Sequence, residues 1–146
     1  MKALVRLFAS GQFVVFLLVG GTAALVNFFS GALVRLYWTS YAAYAASVTI
    51  GFLLGTVVSF VLNRRFTFRA SEGAVGGQAF RFLVAALGSV VVSLAVASVV
   101  LWAWELTGRA VVTRAQVESL GHISAIGVST VYNFLAMKFF AFRRAR

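Results

Sequence analysis

Three cations stand beside phenylalanine where apolar runs end: Arg64 and Arg65 before Phe66, and Lys138 before Phe139 and Phe140. A guanidinium can hold a phosphate bidentately, and an ammonium holds it as a point charge. A neighbouring phenylalanine offers an apolar face to an isoprenoid chain or a sugar ring. These residue types in this order suit a phosphate or pyrophosphate at head-group depth. They would also serve as plain anchors, since cations and aromatics both gather at membrane interfaces. The doubling favours the ligand, because anchoring needs charge but not the same order of residue types twice.

The doubling extends over eleven residues. Ser59 to Arg69 reads SFVLNRRFTFR, and 74 positions on, Asn133 to Arg143 reads NFLAMKFFAFR. Phe60 meets Phe134, Arg64 meets Lys138, Phe66 meets Phe140, Phe68 meets Phe142 and Arg69 meets Arg143, without a gap. A repeat must be recognised before any other fold assignment. The chain reads as one membrane domain, residues 1–146, built from two versions of one unit, repeat one over 12–69 and repeat two over 78–143.

Composition indicates what positions these ends. The chain is 62% hydrophobic and 11% charged, where a soluble domain has about a quarter charged residues. The apolar excess is material for membrane spans. With no Cys there is no disulfide, thiol catalysis or thiolate metal site. With no Pro, helix breaks must come from Gly or polar residues. The net charge of +10 would suggest nucleic acid in a soluble protein. Here the cations lie at the ends of apolar runs, which fits anionic lipid head groups and excludes a nucleic-acid role.

A short basic amphipathic lead-in, residues 1–12, carries Lys2 and Arg6. The uncharged run that follows, Phe13 to Val34, is 22 residues long, too long for a signal-peptide core. It matches the roughly 20 helical residues that cross a hydrocarbon layer of about 30 Å. The predicted spans are about 13–34, 42–62, 82–102 and 119–137, giving an all-α membrane protein with four transmembrane helices. The segments 35–41, 69–81 and 105–118 are expected as connections, the first with interfacial Tyr37, Trp38 and Tyr41.

Charge predicts orientation. Lys2, Arg6, Arg64, Arg65, Arg69, Arg81, Lys138, Arg143, Arg144 and Arg146 share one side, ten of the thirteen cations, leaving Arg35, Arg109 and Arg114 on the other. Cations near span ends mark the cytoplasmic side. Both termini are therefore expected inside, in the inner (plasma) membrane, with the two halves parallel rather than inverted.

Small or polar residues recur every fourth position: Ser47, Gly51, Gly55, Ser59 and Asn63 in span two, and Gly121, Ala125, Ser129 and Asn133 in span four. Span one has Ala23, Asn27 and Gly31; span three, offset by 66, has Ala85, Ser89, Ser93 and Ala97. Residues four apart share a helix face. Such faces serve close helix packing, or they line a groove for a polar lipid part. Gly51 and Gly55 are the expected seam of a homo-oligomer. Asn27, Ser59, Asn63, Ser93 and Asn133, with Phe66 and Phe140 at the ends, are the groove candidates. A buried amide such as Asn27 needs partners, from another helix or from a ligand.

Enzymatic chemistry is not expected. No nucleophile–base pair or carboxylate pair is visible, and His122 alone is no metal site. No phosphate-binding glycine loop for ATP is present. No acid lies within a predicted span, which argues against a proton-driven exporter of the small multidrug-resistance type.

At these residues the chain resembles the GtrA-like family of small four-span membrane proteins. The marks are Phe16-x-x-x-Gly20-Gly21, Asn27, Asn63-Arg64-Arg65-Phe66-Thr67-Phe68, Phe80-Arg81-Phe82, and Asn133-Phe134 with Lys138-Phe139-Phe140-Ala141-Phe142. Ser59 and Met137 depart from that pattern, which usually has Asn there. The resemblance implies translocation of a polyprenyl-phosphate-linked sugar, of the undecaprenyl-phosphate-glucose type, from the inner to the outer leaflet for envelope polysaccharide synthesis. It implies a membrane glycosyltransferase as partner and no cofactor. The alternative it carries is an accessory subunit that binds polyprenyl phosphate or the glycosyltransferase without transporting. Arg64, Arg65, Lys138 and Arg81 are the expected phosphate contacts.

Overall fold

The computed structural model describes residues 10–37, 40–70, 72–106 and 113–143. Most of these are helical, with four helices long and apolar enough to cross a membrane: α1 (Gly11–Tyr37), α2 (Tyr41–Leu62), α3 (Val75–Leu106) and α4 (Arg114–Ala136). At 1.5 Å per residue, even the 22 residues of α2 span about 33 Å. Lys2, Arg6, Trp38, Arg109, Arg144 and Arg146 lie outside the described residues.

The chain divides into two compact units, Met1–Glu72 and Gly73–Arg146. The division falls in the glycine-rich stretch expected to connect the halves. Each unit is an antiparallel helical hairpin. In unit 1, Gly31 of α1 lies against Ser47 of α2, and Ala23 and Asn27 lie against Gly55. In unit 2, Gly121 of α4 faces Ala97 and Val100 of α3, and Gly88 of α3 faces Tyr132 of α4.

The helices run further than the apolar stretches predict. α3 begins at Val75 and ends at Leu106, and α4 begins at Arg114, so the segments 69–81 and 105–118 are partly helical. Hydropathy marks what sits in hydrocarbon, whereas a helix continues until its backbone bonds meet a stop. α4 starts on a capping box: the Thr113 hydroxyl accepts from Gln116 N, and the Gln116 side chain accepts from Thr113 N. α2 starts on Ser40, whose hydroxyl accepts from Ala43 N at 3.2 Å.

α2 and α4 do not stop before their cations. Each widens into one π-helical turn, Asn63–Thr67 and Met137–Ala141, in which backbone bonds reach five residues. Phe68 N donates to Asn63 O at 2.8 Å, and Phe142 N donates to Met137 O at 2.9 Å. The two turns are 74 residues apart, at the repeated basic-aromatic stretch. In unit 1 the chain then leaves the helix through Arg69, whose φ of 48° is left-handed. Ala70 N returns to Arg64 O at 2.8 Å, which satisfies a terminal carbonyl.

Candidate functional site

The π turns decide which residues of each basic-aromatic stretch face inward. In unit 1, Asn63, Thr67 and Phe68 are buried, Arg64 is half-buried, and Arg65 and Phe66 are exposed. In unit 2, Met137, Ala141 and Phe142 are buried, Lys138 is half-buried, and Phe139 and Phe140 are exposed. Each helix end therefore offers charge and an aromatic ring together. The guanidinium of Arg65 lies 5.6 Å from the centre of the Phe66 ring. Lys138 Nζ lies 5.5 Å from the centre of the Phe134 ring. Both are cation–π distances, and both orient the cation beside an apolar surface. The fourth expected phosphate contact, Arg81, is in the second turn of α3, its Nε donating to Gly77 O at 3.2 Å.

The first helix of each hairpin braces the turn. In unit 1, Phe16 meets Phe68 edge-on at 6.4 Å, and Gln12 Nε2 donates to Thr67 O at 3.0 Å. In unit 2, Phe82 meets Phe142 at 6.2 Å, and Gln78 is buried. Gln12, Gln78 and Thr67 were not among the expected site residues. A signal for the glutamines was present: Gln78 follows Gln12, and Phe82 follows Phe16, at the same offset of 66.

The groove candidates fall into separate places. Ser59 and Asn63 meet, Asn63 Nδ2 donating to Ser59 Oγ at 3.3 Å. Asn63 Oδ1 and Thr67 Oγ1 are buried with no hydrogen-bond partner, as is Asn133 Oδ1 in unit 2. Buried polar atoms are normally paired. Asn27 lies mid-helix, exposed, against Gly51 and Gly55 rather than at the basic end. Gly55 precedes Asn63 by eight residues, about 12 Å along the helix. Ser93 is half-buried in α3, and Asn133 is half-buried one turn before Lys138. Phe66 and Phe140 are 53% and 45% exposed, so both rings are open to a ligand.

The expected oligomer seam is corrected. Gly51 and Gly55 are used within the hairpin: a Cβ on Gly51 would lie 2.5 Å from Asn27 O, and one on Gly55 would lie 2.9 Å from Ala23 O. Their lack of side chain lets α1 approach α2, so this face is not open to a second chain. Among the described residues, no three His, Cys, Asp or Glu side chains gather as metal ligands would.

A family model described as GtrA/DPMS, transmembrane domain, matches residues 15–142, which includes both hairpins and both basic-aromatic ends. No solved structure matches the chain.

Proposed function

Because the chain belongs to the GtrA/DPMS transmembrane-domain family, a multi-pass membrane family linked to polyprenyl-phosphate sugars, we propose that it moves such a lipid from the inner to the outer leaflet. The observation that carries this reading is the pair of π-helical turns, 74 residues apart, each presenting a cation beside phenylalanine. With both termini cytoplasmic, both ends meet the inner head-group layer. In unit 1 Arg64 and Arg65, and in unit 2 Lys138 with Arg81, each attract a phosphate. Phe66 and Phe140 pack against the isoprenoid or the sugar. Ser59, Asn63 and Asn133 offer amide and hydroxyl groups to the polar head. In this reading the chain binds the lipid and lets it pass, driven by consumption of the sugar lipid outside. The sugar lipid is supplied by a membrane glycosyltransferase.

The test substitutes Arg64→Gln, Arg65→Gln and Lys138→Gln singly, with topology and expression checked. Each charge-assisted hydrogen bond contributes about 1.5–3 kcal/mol, so each loss should weaken binding of a polyprenyl-phosphate sugar about tenfold or more. Sided transport in proteoliposomes should fall with it. Plain anchoring forecasts unchanged binding, because Arg69, Arg81 and Arg143 would still hold the topology. Lipid binding without transport by the unaltered protein would make it an accessory subunit instead.

A further inference from the structure

Unit 1 carries a cation at each end of its hairpin. Arg35 lies in the last turn of α1 and is exposed. Its guanidinium does not simply reach outward. Nη1 donates to Ser47 Oγ at 3.2 Å and lies 3.3 Å from where a Cβ on Gly31 would stand. Ser47 is fully buried, and its hydroxyl donates onward to Tyr44 O at 2.7 Å. The small residues at 31 and 47 thus make room for the guanidinium over the α1–α2 seam. One nitrogen is held there, and among the described residues no carboxylate pairs with the rest of the fork.

From Ser47 to Arg64 is 17 residues, about 25 Å along the helix, close to one hydrocarbon thickness. Between the two cations lies Asn27, exposed, with no hydrogen bond to its amide among the described residues. It precedes Arg35 by eight residues, about 12 Å. Its Oδ1 stands 2.7 Å from where a Cβ on Gly51 would be, so the amide lies along the same α1–α2 seam as the Arg35 guanidinium. Unit 2 shows that a hairpin of this kind does not need these groups. At offsets of 66 and 74, Leu101 stands for Arg35 and Gly121 for Ser47. A snorkelling anchor extends into the head groups, whereas Arg35 is drawn back onto the seam by a buried hydroxyl.

We infer that Arg35 is a second phosphate site for the lipid-linked sugar, at the end of unit 1 opposite Arg64. This deepens the transport reading and rests on it. A phosphate that leaves the Arg64 end meets the amide of Asn27 in mid-membrane and a guanidinium fork on arrival. Ser47 is a positioning residue that aims the fork.

The absence of Cys allows a single reporter. Tyr37, 81% exposed and two residues from Arg35, is changed to Cys and labelled with an environment-sensitive dye. The full chain in phosphatidylcholine nanodiscs, where both faces are open, is titrated with farnesyl phosphate, while native mass spectrometry counts bound lipid. A saturable dye response is expected with farnesyl phosphate and none with farnesol. Arg35→Leu, which borrows the residue of unit 2, should weaken the response tenfold or more. Ser47→Ala should weaken it less, and Arg35→Lys should keep part of it with a steeper salt dependence. An equal response in Arg35→Leu, or equal responses to farnesol and farnesyl phosphate, would overturn the site. Lipid bound elsewhere with a silent dye sinks this inference alone. No bound farnesyl phosphate at all sinks the transport reading with it.

Discussion

Unit 1 and unit 2 close their second helices with the same π-helical turn but bury opposite chemistry beneath it. Under the first turn lie Asn63 and Thr67, each with an oxygen that has no partner. Under the second lie Met137 and Ala141, 2% and 0% exposed. The same substitution of polar by apolar appears elsewhere, with Arg35 and Ser47 in unit 1 against Leu101 and Gly121 in unit 2. The shared parts are the braces, Phe16 on Phe68 and Phe82 on Phe142. The turn therefore depends on the aromatic brace and the helix register, not on polar atoms within it. Unit 2 keeps its unpartnered oxygen ahead of the turn, at Asn133, whereas unit 1 keeps two within the turn itself.

The largest break in this comparison should come from Phe134, 0% exposed beneath Lys138. Phe134→Ala should destabilise the protein by about 3–5 kcal/mol, as truncation of a buried aromatic does. Phe60→Ala, at the half-buried equivalent in unit 1, should cost visibly less. Chemical unfolding of the full chain in mixed micelles measures both, and equal losses would show that the two ends are packed alike.

Next comes close helix approach. Gly51→Ala adds a Cβ that meets Asn27 O at 2.5 Å, whereas Gly121→Ala adds one that stays 3.6 Å from Ala97 O. The first should cost about 1–3 kcal/mol from overpacking, and the second should be near neutral. Thermal melts of both variants check this, and a tolerated Gly51→Ala would mean that α1 does not lie where the hairpin places it.

The smallest effect has the opposite sign. Asn63→Met with Thr67→Ala gives unit 1 the inward residues of unit 2. Removing two unpaired buried oxygens should stabilise the fold by about 1–2 kcal/mol, while binding of the lipid-linked sugar weakens. A gain in melting temperature with undiminished sugar-lipid affinity would separate these oxygens from the ligand.

Much of this was legible in the residues. Four apolar runs forecast four membrane-crossing helices, and the offset of 74 located both basic-aromatic ends. The exposed Phe66 beside Arg65 follows the order of residue types, whereas Lys138 lies over Phe134. The seam at Gly51 and Gly55 was misassigned because a stripe of small residues reports that something approaches closely, not what approaches. The capping box at Thr113 and Gln116 could have been read from its spacing, and it would have shortened the expected loop.

The sequence by itself determined where the chain can enter a bilayer and where its charge must stay out, because hydrophobic length and charge are local properties. It also determined the helix starts at Ser40 and Thr113, since a cap needs only residues three apart. Only the tertiary structure decided which face of each helix meets protein. In lipid the outer face is as apolar as the inner one, so no polar stripe marks the difference. The same reason hides the unpaired oxygens of Asn63 and Thr67 and the reach of Arg35 to Ser47. Each depends on how two helices from distant parts of the chain are turned toward one another.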